Sequence, residues 1–105
     1  MALSATESAA LTAFAGAVRG VLGSRAVAVT LFGSRARGEG REDSDLDVLV
    51  VVEALDLASR RAVQDAGWEA SMASGLVLSP ISVDAAGYFP DLPLAREVAR
   101  DGVPL

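Results

Sequence analysis

The sequence contains neither cysteine nor histidine. Without cysteine there is no disulfide framework, which suits a cytoplasmic protein. The two absences together exclude zinc held by Cys or His, and every serine–histidine or cysteine–histidine catalytic arrangement. If a metal does chemistry here, oxygen ligands hold it, which points to magnesium or manganese. Lysine is absent as well: all nine basic residues are arginine, set against 14 acidic ones, for a formal net charge of −5. That balance opposes the broad phosphate-backbone surface of a nucleic-acid binder. No apolar stretch approaches the length of a membrane span, and the N-terminus lacks the basic region and long apolar run of a signal peptide.

What is present is a chain of 105 residues, 51% apolar, enough for a real core and read as one domain over residues 1–105. A domain this short buries a limited share of its surface, so a partner or a second copy can complete a pocket, and a homo-oligomer stays open. Residues 4–22 read as a helix. Ser4 and Glu7 have capping-box spacing, Leu11, Phe14, Val18 and Leu22 recur at helical intervals, and Gly23 is placed to end it. Residues 25–31 have the β-branched content of a short strand, and from Leu46 the run LDVLVVV reads as a buried strand broken only by Asp47. Residues 54–72 form a second predicted helix, with Leu55, Ala58, Ala62, Ala66 and Trp68 as inward candidates and Gly67 as a weak point. A third strand is expected over residues 76–83, where Pro80 argues for an edge or a bulge. Residues 93–100 form a last helix, with Pro93 in its first turn and Gly102 after it. The order helix, strand, loop, strand, helix, strand, helix indicates a small mixed α/β (α+β) domain with helices flanking the sheet.

The chemistry concentrates in residues 33–47, GSRARGEGREDSDLD. Gly33 and Ser34 follow a strand. A glycine there lets the backbone approach a ligand, successive amides in such a turn can cradle phosphate oxygens, and the Ser34 hydroxyl can add a further hydrogen bond. Alone, the pair also fits an ordinary turn. Asp45 and Asp47 add to it: residues i and i+2 of a strand share a face, so two carboxylates lie side by side before an apolar run. There they repel each other and resist desolvation unless they share a divalent cation, or unless the strand start is solvent-exposed. A shared cation would also bridge the oxygens of a triphosphate.

Gly33, Ser34, Ala36 and Gly38, followed by Ser44, Asp45, Leu46, Asp47 and Val50, resemble the signature of the DNA polymerase beta-like nucleotidyltransferases. The resemblance is nearest to the short proteins called minimal nucleotidyltransferases. It implies a palm-like fold in which Gly33 and Ser34 hold the β- and γ-phosphates of a nucleoside triphosphate; Arg35 and Ser44 are further candidates for that binding site. Asp45 and Asp47 would coordinate magnesium, with two ions possible. The implied reaction moves AMP from ATP to an acceptor hydroxyl and releases pyrophosphate. Many relatives are antitoxins paired with a helical ribonuclease toxin of the HEPN type, and some adenylylate that toxin, which makes such a toxin the expected partner. Two other readings stay open: transfer to a small molecule or an RNA end, and a noncatalytic nucleotide-binding antitoxin or adaptor.

The resemblance also implies a third acidic residue on a later strand. The predicted third strand offers Leu78, Ser79, Ser82 and Val83 there, and only Asp84 at its end carries a carboxylate. Asp84 is the candidate third ligand and general base, its rival reading being a helix N-cap or turn residue. Arg35 is read equally as a phosphate contact or as solvation of a mobile loop; Arg37, Glu39, Arg41, Glu42 and Asp43 are read as loop surface. Arg60 and Arg61 are placed on the wet side of their helix. Phe32 is placed in the core beneath the turn, and Trp68 and Tyr88 are read as packing at element ends rather than stacking on a base.

Overall fold

The computed structural model describes residues 3–39 and 44–105, so Arg41, Glu42 and Asp43 lie outside the described residues. Helix α1 spans Ala5–Leu22 and starts in the expected capping box, with Ser4 Oγ accepting from the Glu7 amide and Glu7 Oε1 accepting from the Ser4 amide. Strand β1 is Ala26–Phe32 and β2 is Leu46–Val52. Helix α2 is Leu57–Ser74, N-capped by Asp56, whose carboxylate accepts from the Ser59 amide. Strand β3 is Leu78–Asp84, α3 is Pro93–Asp101 and β4 is Val103–Pro104. Every predicted element forms, with its ends within three residues of the expected ones. The sequence reading missed β4: two residues, one of them a proline, carry no periodicity, and they pair only because the chain returns to Thr30 and Leu31.

The sheet order is β3-β2-β1-β4, with β2 antiparallel to β1 and parallel to β3. This is the expected mixed sheet flanked by helices. Leu46, Val48, Val50 and Val52 face α1 and α2, packing with Leu11, Phe14, Val18, Val63, Ala66 and Ala70. Leu49 and Val51 face the other way, with Phe32, onto Tyr88 and onto Leu94 and Val98 of α3. Because β2 is covered on both faces, its sequence is continuously apolar rather than alternating. Asp47 interrupts that run on the α3 side.

Pro80 sits on β3, an edge strand, where its missing N–H costs no central ladder bond. Gly67, the weak point of α2, has a packing reason: a Cβ there would stand 2.7 Å from Pro80 Cγ. A glycine lets the helix close on the edge strand. Of the inward candidates on this segment, Ala66 is buried and Leu55 and Ala62 pack against the core, but Ala58 is exposed and Trp68 is 68% exposed. The helix starts at Leu57 rather than residue 54, and its buried residues are Ser59, Val63, Ala66, Gly67 and Ala70. Among the described residues, no helix is long and apolar enough to cross a membrane.

Candidate active site

The turn after β1 carries Gly33 to the start of β2. Its later amides close it internally: Arg37 N donates to Gly33 O at 3.3 Å, Gly38 N to Arg35 O at 3.2 Å, and Glu39 N to Ser34 O at 2.9 Å. Gly33 itself has φ +80°, a left-handed conformation that disfavours any side chain, and a Cβ there would lie 2.6 Å from Asp47 Oδ2. The phosphate-turn candidate is thus pressed directly against the second aspartate, with Ser34 half-buried beside it.

Asp45, exposed, precedes β2, and Asp47, half-buried, lies within it. Their i, i+2 spacing puts both on the face covered further along by α3. The Asp47 carboxyl is pushed above the ordinary carboxylate range, first by desolvation, then by the charge of Asp45 and that of Glu97 on α3. Ser79 Oγ reaches Asp45 Oδ2 at 3.4 Å, and Ser44 stands half-buried just before it. The donor set fits a hard cation: paired carboxylates, with no nitrogen or sulfur ligand of the histidine or cysteine kind anywhere in the chain.

Two of the predicted site residues, Asp84 and Arg35, have structural partners of their own. Asp84 pairs in register with Val52, whereas Asp47 pairs with Ser79. It therefore lies five residues further along β3, roughly 16 Å away at the rise of a parallel strand, and at a register position on the opposite face. Its carboxylate accepts from the Ala86 amide at 3.2 Å, capping a short 3-10 turn. Asp84 has the turn-residue role and does not join the other two aspartates. Among the described residues, no group of three acidic side chains converges closely enough to hold a metal.

Arg35 is buried in an ion pair rather than solvating a mobile loop. It is 3% exposed, with Nε donating to Glu7 Oε2 at 2.8 Å, Nη2 to Glu7 Oε1 at 2.7 Å and Nη1 to Glu39 O at 3.2 Å. This fork ties the phosphate turn to the first turn of α1. Arg37, read as solvation, instead bonds Glu39 and Glu97. Glu97 was missed altogether; its only sequence signal is an acidic side chain beside Val98 on an amphipathic helix. Phe32 and Tyr88 pack as expected.

The model of the nucleotidyltransferase domain family matches residues 18–84, more than half of the chain and including every element from the turn to β3. The chain belongs to this family. A solved minimal nucleotidyltransferase is 33% identical, over 90% of this chain and 95% of its own, with a TM-score of 0.52. The nucleotidyltransferase fold is also shared with chains from toxin–antitoxin crystal structures. One, with AMP-PNP, is 20% identical over 87% of this chain and 68% of its own, TM-score 0.59. Another, an MntA–HpeT variant with two aspartates changed to glutamate, is 18% identical over 83% of this chain and 65% of its own, TM-score 0.56. The chain thus spans about two-thirds of those chains. No curated protein is similar enough in sequence to add to the comparison.

In this nucleotidyltransferase domain, Gly33→Ala is expected to lower stability by about 1–3 kcal/mol, because strain at positive φ adds to the clash with Asp47. Gly16→Ala is the control. A Cβ there meets nothing within 4 Å, so helix propensity predicts a gain of roughly 0.5–1 kcal/mol. Thermal unfolding of the two variants checks both signs.

Proposed function

We propose that this protein transfers AMP from ATP, with magnesium, to a hydroxyl on a partner protein, and that the partner is a HEPN-type toxin. The observation that carries the reading is the paired Asp45 and Asp47 with Gly33 closed against Asp47. Magnesium bound there would neutralise phosphate charge and activate the attacking hydroxyl. Asp45 and Asp47 would hold it, while Gly33 and Ser34 would present the turn to the β- and γ-phosphates. Because the turn is anchored through Arg35 to buried Glu7, those groups are fixed before the nucleotide arrives, which is where phosphoryl-transfer enzymes gain most.

A protein acceptor is favoured by the exposed apolar residues Trp68, Met72 and Val77, 53–68% exposed on α2 and in the connection to β3, which line one surface groove. The likeness to chains of toxin–antitoxin structures points the same way. A second reading, a nucleotide-binding antitoxin that acts by occupying its partner, is favoured by one observation: Ser79 stands beside Asp47 where a third carboxylate would complete a catalytic centre.

The test is transfer of label from α-labelled ATP with magnesium to a co-expressed partner. The double variant Asp45→Asn, Asp47→Asn should transfer nothing, while Asp84→Asn, changed at the far end of β3, should keep full turnover. A stable complex without label transfer would sink the enzymatic reading in favour of the antitoxin that only binds. Label on RNA or a small molecule would overturn the protein acceptor alone.

A further inference from the structure

Along the first half of β3 the backbone edge is closed by helix α2 rather than left for another strand. Leu46 N donates to Val77 O, so Val77, Ser79 and Ile81 bond inward to β2 while Leu78 and Pro80 turn their backbone outward. The Leu78 amide donates to Ser71 Oγ at 3.0 Å, Pro80 has no N–H, and the Pro80 carbonyl accepts from Gln64 Nε2 at 3.2 Å. An added strand would find no free donor at either residue. Beside this closed edge lies a groove of about 560 Å³ in which Trp68, Met72 and Val77 present exposed apolar side chains. Its rim on α2 is acidic. Asp65 stands three residues before Trp68 and Glu69 three before Met72, as neighbours on the helix surface. Neither acid makes an ion pair among the described residues. From residue 62 to residue 95 the chain has the acids Asp65, Glu69, Asp84 and Asp91 and no basic residue.

We propose that this groove docks a basic amphipathic helix of the partner protein, with apolar side chains on Trp68, Met72 and Val77 and Arg or Lys side chains over Asp65 and Glu69. The proposal deepens the protein-acceptor reading and rests on it. With the edge capped, recognition falls to side chains, and an apolar helix face laid into a groove is the mode that uses them. A large aromatic ring and a flexible thioether suit such a face. Charge argues against a second copy of this chain as the occupant. A twofold contact would set Asp65 and Glu69 against their own counterparts, in chains of net charge −5. The groove also borders the site. Leu78 and Pro80 line it, and Ser79 between them reaches Asp45, so a helix seated there is held one strand away from β2 and its aspartates.

The test uses Trp68, the chain's single tryptophan, as its reporter. The full chain, without ATP or magnesium, is titrated with three synthetic peptides of equal length. One is an amphipathic helix with leucines at i, i+3, i+4 and i+7 flanked by arginines. The second has glutamates in place of the arginines, and the third is an alternating leucine–arginine strand. The basic helix should shift Trp68 emission to the blue and bind roughly tenfold more tightly than the acidic one, the scale of two exposed ion pairs. Asp65→Asn with Glu69→Gln should remove that preference, and Met72→Ser should weaken the basic helix about tenfold. No shift with the basic helix, or equal binding of the acidic one, would overturn the proposal. Tighter binding of the strand peptide would also overturn it, since the edge would then be open. So would a dimer in sedimentation with Trp68 already shielded, which would assign the groove to a second copy. Docking uses neither metal-site aspartate, so Asp45→Asn with Asp47→Asn should bind the basic helix as the wild type does. A wild type that docks the helix but transfers no label to a partner would bring down the transfer reading and leave the groove standing.

Discussion

Replacing Asp47 with asparagine is expected to abolish magnesium-dependent nucleotide transfer and, in the same variant, to make the metal-free fold more stable near neutral pH. The first half follows from removing one of the two carboxylates proposed to hold magnesium. The second follows from the environment of Asp47. Desolvation, Asp45 and Glu97 all disfavour its charged form, so its folded-state pKa lies above the unfolded value. The stability attached to its protonated form is fully present below the unfolded carboxylate value and is lost as pH rises through the raised folded value. At neutral pH the wild-type chain therefore carries an unfavourable charge that asparagine lacks. The advantage of Asp47→Asn should be largest near pH 7 and should disappear on acidification. Magnesium should reverse the order by stabilising only the wild type. Thermal unfolding of both proteins across pH, with and without magnesium, measures all three effects. A variant less stable than wild type at pH 7 without metal would refute the account. A functional site that works against fold stability is a common trade-off.

Glu7→Ala has the largest expected effect on folding. Glu7 is 1% exposed, accepts two hydrogen bonds from Arg35 and one from the Ser4 amide, and has its carboxyl held below the usual range, chiefly by Arg35. Truncation leaves a buried guanidinium without its partner carboxylate and removes half of the α1 capping box. Breaking a buried pair from one side costs about 3–5 kcal/mol, a large part of the roughly 5–15 kcal/mol that a domain has. A fall in Tm of at least ~10 °C is expected. Glu7→Leu combined with Arg35→Met should recover most of the loss, because two apolar side chains leave no charge stranded. Glu7 also sets an acid limit. Its contribution is present above the unfolded carboxylate value and is lost as pH falls through its lowered folded value, so wild-type stability should drop there while the Leu/Met pair stays flat.

Both predictions concern residues whose roles differ in how far they could be read from the chain. Asp45, Asp47 and Gly33 were legible because their signals are local. A strand's two-residue period puts the aspartates on one face, and a glycine after a strand marks a turn whatever else the fold does. The helices, the three long strands and the capping box at Ser4 and Glu7 were legible for the same reason, since capping and periodicity act within a few residues.

Asp84, Arg35 and Glu97 were not legible, because each depends on a partner far along the chain. Strand register decides that Asp84 stands beside Val52 rather than near Asp47. Arg35 is drawn inward by a glutamate 28 residues away that also caps a helix, and no spacing rule announces that pair. Glu97 reaches the turn only when α3 folds back across β1 and β2, and β4 exists only because the same return brings Val103 to Leu31. The sequence by itself determined the elements and the pair of carboxylates, through forces that act over one or two turns of chain. Which other charges join them was decided by tertiary packing, because burying apolar faces on both sides of β2 fixes helix positions first and the ionic contacts follow.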